Sequence, residues 1–290
     1  MKHLQLSRNF EERHISKYQK LSNRWLWSLK HDGIQVITTH DDPVTRNGKQ
    51  INNPYLRELL SKLPAGMQGE ICAVDPLRKD AFKLATSIVM TKHIAKERHN
   101  ELLKLTQFKI FNCFDDEAFN LQPYAFRMAL AEIETYEFPY VSVVKLNALG
   151  SDFSEVKQIA ANTNSEGIIL THVDAPYEAG RPWHSLKVKN MGDCDGVIIG
   201  YECERYGENL KTVPQELWGT EKPQVSKLRL RTEEFGEISA GGGLTLKQKK
   251  DIYANPEYYL GGKCTIEYLV TGTDLKPRQP TIKQLLRKDN

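Results

Sequence analysis

A single lysine between two short apolar segments constrains this chain more than any other feature of its sequence. Residues 25–29 precede Lys30 and residues 34–36 follow it, and both segments are typical of β-strands. Asp32-Gly33 predicts a tight turn between them. This pattern predicts that Lys30 lies at the mouth of a pocket, close to a carboxylate. The alternative is an ordinary surface turn, because the same short pattern occurs by chance in many chains.

The composition is typical of a globular protein with one large domain or two domains of moderate size. The chain has 290 residues, of which 40% are hydrophobic and 27% are charged. No apolar run approaches the roughly 20 residues of a membrane-spanning helix, and the first residues lack the apolar stretch of a secretory signal. We therefore expect a cytoplasmic protein that does not associate with membranes.

The cysteines and the charge balance exclude further classes of protein. The five cysteines are widely spaced and none forms a C-x-x-C pair, which argues against a disulfide framework or a structural zinc site. The net charge of +3 decides little, because a nucleic-acid-binding protein needs its basic residues only on one face. Residues 275–288 are locally basic, and a solvated tail is the alternative to a nucleic-acid contact there.

The spacing of apolar residues predicts mixed helices and strands up to about residue 189. The first 24 residues are polar and predict a weakly ordered start or a short helix. A helix is predicted at 123–136, with Phe126, Met128, Leu130 and Ile133 facing the core. Further helices are predicted from Asn53-Pro54, within 79–103 and at 152–161, and strands at 69–74, 108–114, 140–146, 166–170 and 185–189.

The pattern changes beyond residue 190, where short strands dominate. One helix is predicted at 245–253, and strands are predicted at 196–201, 226–231, 235–239 and 263–270. Several short strands and one helix within about 100 residues favour a small β-barrel. We therefore divide the chain into a first domain of residues 1–189 and a second domain of residues 190–290.

Six short motifs follow one another along the chain. They are Lys30-His31-Asp32-Gly33, Thr45-Arg46-Asn47-Gly48-Lys49, Gly69-Glu70-Ile71, Phe111-Asn112-Cys113-Phe114-Asp115, Glu166-Gly167-Ile168-Ile169 and Leu186-Lys187-Val188-Lys189. Each motif is weak alone, but their order and spacing resemble the covalent nucleotidyltransferase superfamily, and specifically the ATP-dependent DNA ligases. Residues 86–91 and the length of the chain resemble the minimal viral and phage enzymes of that family.

The resemblance implies an α+β fold and a defined activity. The expected fold is a nucleotidyltransferase (adenylation) domain of antiparallel sheets and helices, followed by a small OB-fold β-barrel. The expected activity is the sealing of 3′-hydroxyl/5′-phosphate nicks in duplex DNA, with ATP and Mg²⁺, by a monomeric viral or bacterial protein. A polar insertion at 205–225 resembles the latch that closes around nicked DNA in the minimal viral ligases, and an ordinary surface loop is the alternative.

The resemblance assigns Lys30 as the nucleophile that forms a lysyl-AMP, with Asp32 beside it as a further catalytic residue. A lysine is almost fully protonated near neutral pH. The positive charges of Lys187 and Lys189 favour the neutral amine and also balance a triphosphate, so both are assigned to catalysis and nucleotide binding. The alternative is that these two lysines occupy the exposed side of a strand, since residues i and i+2 share a face. His31 is predicted to point to the opposite face, so we assign it no chemistry.

The resemblance also assigns residues to the nucleotide, the metal and DNA. Each assignment has an ordinary structural alternative, such as core packing for Phe114 or a surface position for Glu166. Nucleotide contacts are predicted for Ser28, Lys30, Gln35, Arg46, Glu70, Phe114, Glu166, Lys187 and Lys189, metal contacts for Glu166 and Glu70, and DNA contacts for Arg46, Arg181 and Arg287.

The sequence departs from the family at two positions. Gln35 stands where the nucleophile motif usually has an arginine, and glutamine cannot replace the charge of a guanidinium. The chain ends Arg287-Lys288-Asp289-Asn290, without the final lysine of the family's C-terminal motif. These departures suggest one alternative function, a nick-binding protein of weakened activity. The other alternative is an RNA ligase or capping guanylyltransferase of the same superfamily.

Overall fold

The computed structural model describes residues 4–21, 23–78, 80–150, 152–163, 165–207, 214–270 and 277–286. The chain divides between Asn190 and Met191 into two units, each with its own core. No helix within these ranges has the length and apolar character that a membrane crossing requires.

The first unit contains strands and helices throughout its length. Strands β1 to β10 are Arg8–Asn9, Trp25–Leu29, Gly33–Ile37, Val44–Thr45, Met67–Ala73, Thr106–Cys113, Val141–Val143, Asn147–Gly150, Gly167–His172 and Ser185–Lys189. Helices α1 to α7 are Ile15–Leu21, Pro54–Leu60, Ala81–Met90, Lys96–Leu105, Glu117–Asn120, Tyr124–Thr135 and Val156–Ala161.

Two five-stranded sheets organise this unit. The first sheet has the order β1-β10-β9-β2-β8, and the second sheet has the order β4-β3-β5-β6-β7. The pairs β1–β10 and β6–β7 are parallel, and the other pairs are antiparallel. Antiparallel pairing therefore dominates an α+β unit, as the sequence predicts.

The segment around Lys30 passes from one sheet to the other. The predicted strands on both sides are confirmed, but β2 pairs with β8 and β9, whereas β3 pairs with β4 and β5. Lys30 to Asp32 is therefore a crossover rather than a turn between paired strands. A Cβ on Gly33 would lie 2.0 Å from the carbonyl oxygen of Ile71, so this close approach of two strands requires glycine.

Each sheet buries one face and leaves its other face to polar side chains. In the first sheet, Trp25, Leu170 and Leu186 pack into a core with α1 and α7. Side chains alternate along β10, so Lys187 and Lys189 emerge on the opposite face. In the second sheet, Ile71 packs against the helices, and Glu70 emerges on the other face by the same alternation.

Helix α6 forms where the sequence predicts a helix, but the face that it buries differs from the predicted one. Phe126 and Ile133, predicted to be core residues, are 52% and 67% exposed. The helix carries apolar residues on two faces, so periodicity alone does not select the buried one. Its buried positions are Tyr124, Arg127, Met128, Ala131 and Thr135.

The first residues are more ordered than the sequence predicts. Leu4 and Gln5 are buried, and β1 pairs in parallel with β10. The Leu6 N–H donates to the Gly180 carbonyl at 2.7 Å, and the Gly180 N–H donates to the Leu4 carbonyl at 2.8 Å. Backbone hydrogen bonds to a distant segment hold this polar stretch, and local sequence patterns do not report such contacts.

In its described residues, the second unit contains an antiparallel sheet and two α-helices. Strands β11 to β15 are Met191–Arg205, Glu221–Thr232, Gly236–Ala240, Lys263–Leu269 and Arg278–Gln284, and helices α8 and α9 are Leu246–Ala254 and Pro256–Tyr259. The sheet order is β13-β12-β11-β14-β15. Its two ends meet beyond β13, where the Ile282 N–H donates to the Gly242 carbonyl at 2.9 Å. This arrangement matches the predicted small β-barrel.

Two sequence expectations for this unit need correction. The basic stretch at 275–288 is not wholly a tail, because β15 pairs with β14 and buries Ile282. The polar insertion at 205–225 is shorter than predicted, because Arg205 pairs with Glu221 and the residues from 221 onward belong to β12. Residues 208–213 lie outside the described residues, so the latch remains a prediction.

The crossover generates a prediction about Gly33. We expect Gly33→Ala to lower the free energy of unfolding by about 1–3 kcal/mol, because the new Cβ would overlap a backbone oxygen that cannot rotate away. Gly200→Ala is the control, since the nearest atoms to its added Cβ lie at 3.9 Å. We expect that change to stay within about 0.5 kcal/mol. Urea unfolding measures both, and equal stability of the two variants would contradict the prediction.

Candidate active site

A cleft of about 530 Å³ is lined by residues of both sheets of the first unit. Its walls come from the Lys30 crossover, from β5 and β6 of the second sheet, and from β9 and β10 of the first sheet. The turn after β4 contributes Arg46, Asn47 and Lys49. Most of the predicted site residues therefore meet in one cleft, although they are far apart in the sequence.

Lys30 and Glu166 form an ion pair in this cleft. The Lys30 Nζ contacts Glu166 Oε2, and the Lys189 Nζ lies 3.7 Å from Glu166 Oε1. The Lys30 N–H donates to the Gly167 carbonyl at 2.9 Å, which fixes the crossover against the start of β9. Glu166 is only 8% exposed. One buried carboxylate is thus shared by the candidate nucleophile and a second lysine.

Three other cations of the cleft have no carboxylate partner in the part of the chain that the structure describes. Within the described ranges, Lys187, Arg181 and Arg46 form no ion pair. Burial lowers the pKa of Lys187, and the positive charges of Arg181, Lys189, Lys30 and Arg46 lower it further. This accumulation of positive charge suits a ligand with several negative charges.

Glu70 projects from β5 into the same cleft. Burial raises its pKa to about 8. The positive charge of Lys30 opposes this shift, whereas the carboxylates of Glu166 and Asp32 add to it, and the Gly33 N–H donates to Glu70. Asp32 is half-buried and close enough to act on Glu70, but it does not line the cleft.

Two predicted nucleotide contacts lie away from the cleft. Ser28 is 3% exposed and is not part of the lining. Phe114 lies beyond the end of β6 and packs on Tyr177, with ring centroids 4.9 Å apart. Phe111, rather than Phe114, is among the aromatic residues that line the cleft, together with Tyr124. Side chains alternate along β6, and Phe108 and Ile110 face the core, so Phe111 belongs to the opposite face. The sequence contains this signal, but the prediction of Phe114 did not use it.

A buried arginine determines how Asn112 faces the cleft. Arg127 is fully buried, and its Nη1 donates to Asn112 Oδ1 at 2.5 Å and to the Cys113 carbonyl at 2.6 Å. The Cys113 N–H also donates to Asn112 Oδ1, at 3.0 Å. Both donors require an acceptor, so the side-chain oxygen of Asn112 points inward. The amide nitrogen of Asn112 is the atom left to donate to a ligand.

Gln35 and His31 also line the cleft. The Nε2 of Gln35 is buried without a hydrogen-bond partner in the described part of the chain, and its carbonyl accepts from the Arg46 N–H at 3.0 Å. The prediction that His31 points away is wrong, because strand alternation does not apply to a crossover. Burial lowers the pKa of His31 to about 4, with the charges of Lys109 and Lys30 contributing, so the imidazole is neutral near pH 7.

The N-terminal segment forms a wall of the cleft that the sequence reading did not anticipate. Gln5, Leu6 and Ser7 contribute to the lining, and the Gln68 Nε2 donates to the Gln5 carbonyl at 2.9 Å. A polar segment with a two-residue strand carries no local signal for this position. Of the predicted DNA contacts, Arg46 and Arg181 lie at the cleft, and Arg287 lies outside the described residues.

Comparison with known proteins identifies the fold. No protein-family model and no curated protein matches the sequence. Solved structures match over nearly the whole chain. A Lig E DNA ligase has a TM-score of 0.71 and 20% identity, covering 98% of this chain and 99% of its own. The Chlorella virus DNA ligase-adenylate has a TM-score of 0.51 and 21% identity. The ATP-dependent DNA ligase from bacteriophage T7, in complex with ATP, has a TM-score of 0.52 and 14% identity. In both, 98% of each chain is covered.

This chain has the DNA ligase fold. The predicted α+β fold is confirmed by these neighbours and by the two units described above. At 14% to 21% identity the likeness establishes the fold, and the chemistry must be argued from the residues in the cleft.

The position of Glu70 generates a pH-dependent prediction. Its pKa rises from the ordinary value to about 8 on folding, so the folded protein loses stability relative to the unfolded chain as pH rises from about 4.5 to about 8. Glu70→Gln removes this loss. We expect equal stability of the two proteins near pH 4.5, and at pH 8 an advantage of at least about 1.4 kcal/mol for the variant, the equivalent of one pKa unit. Urea unfolding at both pH values, without ligand, measures it. A variant that is less stable than the native protein at pH 8 would contradict it.

The contact between Arg127 and Asn112 generates a second prediction. Arg127 has only neutral acceptors among its described hydrogen bonds, so a carboxylate at position 112 would supply the missing negative charge. We expect Asn112→Asp to raise the free energy of unfolding at pH 7 by about 1–2 kcal/mol. Asn112→Ala should lower it, because it removes an acceptor from a buried guanidinium. Chemical denaturation measures both, and a destabilised Asn112→Asp protein would refute the argument.

Proposed function

We propose that this protein is an ATP-dependent DNA ligase that seals 3′-hydroxyl/5′-phosphate nicks in duplex DNA and acts as a monomer. The observation that carries the proposal is the position of Lys30, paired with Glu166 in a cleft where, within the described residues, Lys187, Arg181 and Arg46 have no carboxylate partner. The fold supports it, since two of the neighbours are a DNA ligase-adenylate and a DNA ligase in complex with ATP.

The cleft has the size and the side chains that a nucleoside triphosphate requires. A volume of about 530 Å³ is within the usual range for small-molecule sites. Phe111 and Ile169 supply apolar surface for the base, and the amide nitrogen of Asn112 can donate to a base acceptor. Lys187 and Arg46 supply positive charge for the phosphates.

The first step of the proposed reaction uses Lys30. Its neutral amine attacks the α-phosphorus of ATP, a phosphorus–nitrogen bond forms, and the bond to the pyrophosphate oxygen breaks. Glu166 contacts the same nitrogen and can accept the proton that the attacking amine must lose. The charges of Lys187 and Lys189 stabilise the negative charge that passes to pyrophosphate.

Two further steps complete nick sealing. An oxygen of the 5′-phosphate at the nick attacks the phosphorus of the lysyl-AMP, and Lys30 leaves as the amine. The 3′-hydroxyl then attacks the 5′-phosphorus of the adenylylated DNA, a phosphodiester forms, and AMP leaves. Arg46 and Arg181 line the cleft as candidate contacts for the 5′-phosphate.

Glu166 and Glu70 are the candidate ligands for Mg²⁺. The described residues contain no set of three or more metal-ligating side chains. Mg²⁺ bound with a nucleotide uses only one or two carboxylates together with phosphate oxygens and water, so this pair fits it. When bound, the ion would neutralise phosphate charge and polarise the phosphoryl oxygens.

Incubation with α-labelled ATP tests the proposal. We expect the native protein to acquire a covalent label that survives denaturation, and to lose it when nicked duplex DNA with a 5′-phosphate is added. Lys30→Ala should acquire no label. Lys62→Ala is the matched control, because Lys62 pairs with Glu58 on the surface and should label normally. Label on the Lys30→Ala protein would overturn the assignment of the nucleophile.

The same experiment separates the other functions. Labelling from α-labelled GTP, or transfer to nicked RNA alone, would indicate a capping guanylyltransferase or an RNA ligase. The amide nitrogen of Gln35, which is buried without a partner among the described residues, lies where the family usually has an arginine. It favours the third alternative, a nick-binding protein of weakened activity. That protein would bind nicked DNA without acquiring label.

A further inference from the structure

A second group of cations lies beside the cleft of the first unit, around an indole ring. Arg8 comes from β1, Lys17 from α1, and Arg181 and Trp183 from the segment before β10. We refer to these four residues as the Trp183 surface. None of the sequence motifs includes Arg8, Lys17 or Trp183.

Trp183 and the backbone hold the two outer cations in place. The Lys17 Nζ lies 3.3 Å from the centroid of the Trp183 ring, and the Arg8 Cζ lies 4.1 Å from it. The Arg8 Nε and Nη2 donate to the Arg181 carbonyl at 3.2 and 3.0 Å. The aromatic ring thus orients both cations, and a neutral carbonyl acceptor further orients Arg8.

The carboxylates near this surface are engaged with other groups. Arg13 forms an ion pair with the carboxylate of Glu11 at 2.5 Å, and Lys157 forms one with the carboxylate of Glu12 at 2.8 Å. In the described parts of the chain, Arg8 and Lys17 form no ion pair. The positive charge of the Trp183 surface is therefore left for an external anion.

The Trp183 surface is continuous with the cleft. Arg8 pairs with Leu186 in the β1–β10 ladder, next to Lys187. Arg181 lines the cleft, and its charge contributes to the lowered pKa of Lys187. Cations that have no carboxylate partner among the described residues therefore extend from Lys187 through Arg181 to Arg8 and Lys17. A row of this kind suits a chain of regularly spaced negative charges rather than a single small anion.

We infer that the Trp183 surface binds the phosphodiester backbone of a DNA strand that leads to the cleft. The inference rests on the proposed function for the identity of the strand, and it assigns to Arg8 and Lys17 one phosphate each. Trp183 is a positioning residue, since it orients the two cations. If instead the cations only cover the indole ring, they contribute to packing and not to DNA affinity.

The salt dependence of DNA binding tests the inference. Each phosphate contact contributes about 0.9 to the slope of log K against log salt concentration. We expect Arg8→Ala/Lys17→Ala to reduce the slope for nicked duplex by about 1.8, and the affinity at 0.15 M salt by about 30-fold. Fluorescence anisotropy titrations at KCl concentrations from about 0.05 to about 0.3 M measure both the slope and the affinity. Labelling from α-labelled ATP should be unchanged.

A matched control separates these contacts from the loss of net charge. Lys62→Ala/Arg98→Ala also removes two positive charges, and each residue pairs with a nearby acid, Lys62 with Glu58 and Arg98 with Glu101. We expect it to keep the native slope. The single variant Lys17→Ala tests the inference with a protein that folds normally, because Lys17 is exposed. We expect it to reduce the slope by about 0.9.

The outcomes distinguish the inference from the proposed function. A native slope and affinity in Arg8→Ala/Lys17→Ala and in Lys17→Ala would overturn the inference, even if the native protein forms a lysyl-AMP. An equal fall in slope for Lys62→Ala/Arg98→Ala would also overturn it. If the native protein acquires no label but the slopes change as expected, the surface stands as a DNA contact and the proposed ligase activity fails.

Discussion

The cleft of this protein depends on the ion pair between Lys30 and Glu166. The pair joins residues that are 136 positions apart in the sequence, and the backbone prepares it, since Leu29 and Ile168 face each other in adjacent strands. Lys189 approaches the other oxygen of Glu166. Two ammonium groups thereby share one carboxylate. The net positive charge that is left in the cleft is available to an anionic ligand.

The same arrangement carries a cost in stability. Glu70 is half-buried near two other carboxylates, and its pKa of about 8 records the unfavourable free energy of ionising it there. Arg127 is a fully buried cation that is satisfied by carbonyl and amide oxygens. Folding tolerates these groups because two separate apolar cores, one behind each sheet, stabilise the first unit. A bound polyanion and cation would relieve part of the charge imbalance.

Positive charge extends from the cleft along the edge of the first sheet. The short strand β1 brings Arg8 beside β10, and Trp183 orients Arg8 and Lys17 without using a carboxylate. The first sheet thus contributes both to the proposed nucleotide cleft, which the two sheets line together, and to the proposed anion-binding surface. This combination is what an enzyme needs if it first binds a nucleotide and then a strand of nucleic acid.

The sequence by itself determined most of the elements and the set of chemical groups. Alternation predicted that Lys187 and Lys189 share a face of β10, and the motif order placed Lys30, Glu70 and Glu166 in one site. Only the tertiary structure decided that Phe111, not Phe114, lines the cleft, that α6 buries Arg127, and that His31 faces inward. It also recruited Gln5 to the cleft wall. The physical reason is that local periodicity records which faces of an element differ in polarity, whereas crossovers, strand ends and long-range hydrogen bonds determine which of those faces meet.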